Sequence, residues 1–180
     1  FIDDVVRPGW GSQKQLLISK VGPERCRVRV LSVTPYLFAP RVQFKKPFRT
    51  VKVNGKAWDY HDGQNVFLPQ QTGDFRIQVS SQGMEHPTLT STAARIEMAE
   101  YKKDTLTVRL SKPDYVFAIP QGLHYKLGLR YDVQKFKVDS VQGGKLLREG
   151  PFGGIIDCYE DIVTIQFQSE VKSIAVVNSE

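Results

Sequence analysis

Trp58-Asp59-Tyr60-His61-Asp62-Gly63-Gln64-Asn65 is the stretch of this chain whose residue types could do recognition chemistry. A flat aromatic ring stacks on the face of a pyranose, while acids, amides and imidazoles satisfy the hydroxyls. Here Trp58 and Tyr60 alternate with acids directly after an Asn54-Gly55 turn, and His61, Asp62 and Asn65 supply the polar groups. Tyr125 and Tyr131 are the corresponding candidates further along. The competing assignment puts Trp58 and Tyr60 in the core of a strand, where large apolar side chains are usually found.

No catalytic residue is assigned. A GxSxG elbow, a phosphate loop, HExxH and GxGxxG are all missing, so the chain is not expected to be an enzyme. His61 beside Asp62 has the types of a base and its orienting acid, but is read as a polar hairpin loop. Asp157, Glu160 and Asp161 lack the spacing of a calcium loop and read as a solvated turn. Two cysteines (Cys26, Cys158) and three histidines (His61, His86, His124) are scattered without CxxC or HxxxH, so no metal or cofactor is expected. Each cysteine reads as a small buried hydrophobe.

The elements that position these residues are strands. Apolar and polar residues alternate in Cys26–Val30, Val51–Val53, Phe75–Val79, Leu106–Leu110 and Val163–Phe167, the pattern of antiparallel strands with one buried face. Turn dipeptides separate them: Gly22-Pro23, Asn54-Gly55, Asp62-Gly63, Gly73-Asp74, Gly143-Gly144 and Gly153-Gly154. The chain also echoes itself. At an offset of 80, Ile18 falls on Met98, Val28 on Val108 and Arg29 on Arg109. Further on, Val51 to Asn54 falls on Phe136 to Asp139, and Ile77 on Ile165. Residues 94–103 are rich in helix formers, but their counterpart runs into Gly22-Pro23, which breaks a helix, so both stretches read as a strand entering a hairpin. The predicted fold is all-β: two tandem Ig-like antiparallel β-sandwiches packed against each other. The first spans 1–84, with a linker at 1–13 that alternatively pairs with 173–177, and the second spans 85–180.

The 180 residues, 41% hydrophobic and 24% charged, make a globular composition. No apolar run approaches the roughly 20 residues of a membrane helix, so membrane insertion is not expected. The chain opens on Phe1, which reads as a processed product or excised fragment. Net charge is +6, and it is uneven: residues 1–84 carry 13 basic and 6 acidic residues, net +7, against 12 and 13 in 85–180, net −1. A basic first half can attract an anionic partner. Nucleic acid is disfavoured, because Phe44 and Phe48, interleaved with Arg41, Lys45, Lys46 and Arg49, serve equally as core.

Val51-Lys52-Val53-Asn54-Gly55-Lys56, then Asn65-Val66-Phe67-Leu68-Pro69, then Gly73-Asp74-Phe75-Arg76-Ile77-Gln78-Val79 resembles the Ig-like β-sandwich accessory modules of bacterial carbohydrate-active enzymes and surface glycan-binding proteins. The second half departs from that pattern, with Asp139-Ser140 in place of Asn-Gly. The resemblance implies a non-catalytic module of a larger secreted or cell-surface protein, binding or positioning a polysaccharide or other glycan, anionic ones included, beside further domains of its parent. The alternative is a structural or protein-interaction domain of a surface or virion assembly, pairing through its sheet edges.

Overall fold

The computed structural model describes residues 5–8, 16–22, 24–31, 39–69, 71–111 and 125–169. In chain order the first eight strands are β1 (Val5–Pro8), β2 (Leu16–Gly22), β3 (Arg25–Val30), β4 (Arg41–Phe44), β5 (Thr50–Val53), β6 (Lys56–Ala57), β7 (Asn65–Phe67) and β8 (Gly73–Ser80). The next eight are β9 (Thr88–Thr92), β10 (Arg95–Lys102), β11 (Thr105–Ser111), β12 (Lys126–Arg130), β13 (Phe136–Gln142), β14 (Gly144–Gly150), β15 (Gly153–Cys158) and β16 (Ile162–Ser169). The protein is all-β, with no helix among the described residues.

Four sheets result, ordered β1-β4-β7, β2-β3-β8-β5-β6, β10-β11-β16-β13 and β14-β15-β12-β9, and every ladder is antiparallel. The order β2-β3-β8-β5 in one half has the same form as β10-β11-β16-β13 in the other. Pairings nest: β4–β7 lies inside β3–β8 along the chain, and β12–β15 inside β11–β16. Among the described residues, each ladder joins strands of 5–80 or strands of 88–169, and the isolated parallel bridge Tyr60 to Leu89 connects the two sets.

Alternation becomes burial as the physics of a one-sided sheet requires. In β3 the arginines 25, 27 and 29 are exposed, while Cys26, Val28 and Val30 are buried. In β8, Phe75, Ile77 and Val79 are buried between exposed neighbours. Asn54 and Gly55 take φ of 53° and 81°, making the two-residue turn between β5 and β6. Lys103 and Asp104, at 52° and 63°, do the same between β10 and β11. The buried apolar side chains of both halves form one continuous cluster. Residues 5–8, expected within a linker, instead pair with β4, Val5 opposite Phe44 and Pro8 opposite Val42. The alternative partner at 173–177 lies outside the described residues.

Candidate functional site

Residues 58–61 break the alternation, for all four are buried. The cause is cover on two sides. On one side the Asp59 amide donates to Ala99 O at 2.7 Å, the His61 amide to Leu89 O at 3.0 Å, and the Leu89 amide to Asp59 O at 2.9 Å. On the other, the Phe67 amide donates to Tyr60 O at 3.1 Å, and His61 bridges Val66. A segment held this way has no wet face, so the polar side chains of Asp59 and His61 must find partners inside the protein.

Asp59 is that partner. Its Oδ2 accepts the Tyr101 amide at 2.7 Å, and its Oδ1 lies 2.8 Å from Nε2 of His86 and 3.4 Å from Nε2 of His61. The three side chains are 8%, 13% and 3% exposed for Asp59, His86 and His61. On the far side of its ring, Nδ1 of His86 lies 3.0 Å from Met84 O. A carbonyl oxygen only accepts, so Nδ1 donates there. Both ring nitrogens then face acceptors, the arrangement of an imidazolium. Burial would lower the pKa of His86, but the Asp59 carboxylate, the Met84 carbonyl and the Glu85 charge outweigh it and raise it. For Asp59, burial would raise the carboxyl; His61, His86 and the Tyr101 amide hold it down at about 2. Burial dominates at His61 and lowers its pKa despite Asp59. Its two nitrogens complete no hydrogen bond among the described residues, because 3.4 Å exceeds a good N–H···O contact.

His61 and His86 look into a cleft of about 920 Å3. Its walls come from both halves. Phe48, Arg49, Asp62 and Gln64 stand on one side, and Arg130, Tyr131, Asp132 and Phe152 on the other. Arg130 crosses the cleft, its Nη1 donating to the carbonyl oxygen of Asp62. Gly63 beneath it has φ of 93° and lets the turn pass, its carbonyl accepting the Phe48 amide at 2.9 Å. Lys135 lies 3.2 Å from Glu85, a cleft residue of the same half. Phe152, at the tip of the β14–β15 hairpin, is 79% exposed.

The residues expected to form a glycan platform fall in several places. Trp58 and Tyr60 belong to the core, 6% and 2% exposed, so neither offers the ring face that stacking needs. Trp58 Nε1 donates to Phe67 O at 2.7 Å, and the Tyr60 ring lies 5.0 Å from that of Phe67. Asp62 and Asn65 are engaged in their own turn. Asp62 Oδ1 accepts the amides of Gln64 and Asn65 at 3.0 and 2.7 Å, and Asn65 Nδ2 donates to Asp62 Oδ2 at 3.0 Å. The acid oriented on His61 is Asp59, not the adjacent Asp62. Tyr131 is buried at the cleft wall, its hydroxyl donating to Glu149, and Tyr125 is partly buried, packed against the core and not part of the cleft lining. The structure thus gathers His61, Asp62 and Tyr131 around one cleft and leaves Trp58, Tyr60, Asn65 and Tyr125 outside its lining.

Sequence reasoning passed over Asp59, His86, Arg130 and Phe152. The only local signal was Asp59-x-His61, whose spacing puts both side chains on one face of an extended segment. His86, 27 positions from Asp59, carries no signal of its own. No protein-family model matches the chain, and a comparison with curated proteins finds no significant relative.

Proposed function

We propose that this chain is a non-catalytic binding module of a larger extracellular or cell-surface protein, made of two tandem β-sandwiches whose shared cleft takes up carbohydrate, anionic glycans included. The matching strand orders of the two halves support a tandem repeat. An Ig-like sandwich for each half is part of this reading, and both halves share the same nesting, β4–β7 within β3–β8 and β12–β15 within β11–β16.

One observation carries the glycan reading. Phe152 holds an aromatic ring almost free in solvent at the mouth of a cleft whose other groups include two arginines, an amide and acids. Exposing such a ring has a cost that ligand stacking recovers. Arg49 and Arg130 suit carboxylate or sulfate groups on the sugar. Affinity electrophoresis of the chain through gels containing neutral or uronic-acid polysaccharides tests this. Retardation by an acidic glycan, abolished in Phe152→Ala and weakened in Arg49→Ala, is expected. Equal mobility of wild type with and without every glycan would reject the reading.

A second reading rests on β14. Six of its seven residues are exposed, Leu146 and Leu147 among them, and it forms the edge of its sheet among the described residues. Such an edge suits strand addition by a protein partner. Specific oligomers in light scattering, lost on placing proline at Leu147, would favour it over the glycan module.

A further inference from the structure

We propose that Asp59, His61 and His86 form a binding site for a divalent transition-metal ion of the Zn2+ class, set in the floor of the cleft. The donor atoms, one carboxylate oxygen and two imidazole nitrogens, all lie within 4.8 Å of one another. A tetrahedral ion with bonds of roughly 2.0–2.1 Å places its donors about 3.4 Å apart. Asp59 Oδ1 already stands at 3.4 Å from His61 Nε2, and at 2.8 Å from His86 Nε2. Binding requires the His86 contact to open and the two imidazole nitrogens, within 4.8 Å of each other, to settle at that spacing.

The surroundings of the three side chains point the same way. The Tyr101 amide occupies Oδ2 of Asp59 and leaves Oδ1 turned to the imidazoles. Met84 O holds the Nδ1 proton of His86, which assigns Nε2 as the donor to a metal. This is the outer-sphere support that metal-bound histidines almost always have. A cation at the site would take the place of the Nε2 proton that otherwise bridges His86 and Asp59.

His61 provides the independent observation. It is 3% exposed, its Nε2 lies 3.4 Å from Oδ1 of Asp59, and neither ring nitrogen has a hydrogen-bond partner among the described residues. A buried ring nitrogen without a hydrogen-bond partner is expensive. A metal ion between Nε2 and Oδ1 satisfies both. Two nitrogens and one oxygen favour Zn2+, Co2+ or Ni2+ over Ca2+ and Mg2+, which take oxygen donors. His61 and His86 both belong to the lining of the cleft, which sets the site beside it.

The proposal does not rest on the glycan reading, because its test contains no saccharide. The purified chain is stripped with a chelator, dialysed and titrated calorimetrically with ZnCl2. In parallel it is loaded with Co2+ and its visible absorption recorded. Wild type is expected to take up one equivalent of Zn2+ and to show a Co2+ d–d band typical of imidazole ligation. His86→Ala and His61→Ala should each weaken Zn2+ binding by more than the roughly 10–100-fold that follows loss of an outer-sphere partner. The Tyr125→Phe variant, altered outside the cleft lining, should bind as wild type does. Failure of the folded wild-type chain to bind Zn2+ stoichiometrically overturns the site, as does unchanged affinity in a folded His86→Ala chain. If His61→Ala does not fold, His86→Ala and the Co2+ spectrum of wild type decide.

Discussion

His86 Nε2 lies 2.8 Å from Oδ1 of Asp59, although 27 positions of chain separate them. The contact ties the loop before β9 to the buried segment between β6 and β7. It places a charge pair inside the protein, and such a pair is costly to break from one side because the remaining charge is left uncompensated. Asp59→Ala is therefore expected to lower unfolding free energy by about 3–5 kcal/mol. The variant also leaves the Tyr101 amide without its acceptor. Urea denaturation of the metal-free chain measures the loss. A midpoint equal to wild type would show that the cluster does not stabilise the fold.

Trp58 separates a packing role from a ligand role. Trp58→Phe keeps an aromatic ring in the core but deletes the Nε1 donor, leaving Phe67 O without its 2.7 Å bond. The expected cost is about 1–3 kcal/mol for the orphaned carbonyl, together with a change in near-ultraviolet circular dichroism. Glycan retardation in gels should remain in the folded variant. Full stability with lost retardation would move Trp58 into the binding site.

Gly153 sits where β15 passes β12. Its φ is 151°, and a Cβ there would stand 1.9 Å from the Leu129 carbonyl oxygen and 2.8 Å from the Leu129 carbonyl carbon. These are backbone atoms of a paired strand and cannot swing aside. Gly153→Ala should destabilise by about 3 kcal/mol or more, with amide exchange accelerated along β12 and β15. Gly150→Ala, where a Cβ meets nothing within 4 Å, is the matched control and should be near neutral. Equal melting temperatures of the two variants would contradict this placement.

Cys26 and Cys158 are both free and buried, and burial pushes each thiol from 9.0 up to about 12, with the Asp157 charge adding at Cys158. The thiolate is the reactive form. Native protein at pH 8 should therefore resist iodoacetamide, and both thiols should react on unfolding. The sign of the pH effect follows from which state loses its protons first. Unfolded thiols ionise near pH 9 and folded ones near pH 12, so stability is full below 9 and falls as pH rises towards 12. Alkaline unfolding curves check this, and a Cys26→Ala, Cys158→Ala double variant should show a shallower decline. Rapid alkylation of the folded chain at pH 8 would refute it.

The strands were legible from local pattern, and the reason is physical. A sheet with one wet face imposes its period of two on neighbouring residues, so Cys26–Val30 and Phe75–Val79 record in their own order which side is buried. Residues 95–102 favour helix by type, yet they form β10. Comparison with Leu16–Gly22 identified them as a strand, because pairing partners outweigh propensity in a sheet. The turn at Asn54-Gly55 was likewise legible, since positive φ at both positions is a local demand that few residue pairs meet.

Burial on both sides was not legible. Trp58 and Tyr60 read either as loop aromatics or as the core of a strand, and Ala99 and Leu89 on one side with Phe67 and Val66 on the other decide for the core through long-range pairing. The same pairing sets Asp59 and His61 on one face opposite His86. It also lines a single cleft with Arg49 from one half and Arg130 and Phe152 from the other. Residue type and alternation decide whether a segment becomes a strand. Which side chains end up sharing a site depends on how distant strands meet, because that is set by free energy summed over the whole packed chain and leaves no mark in any short window.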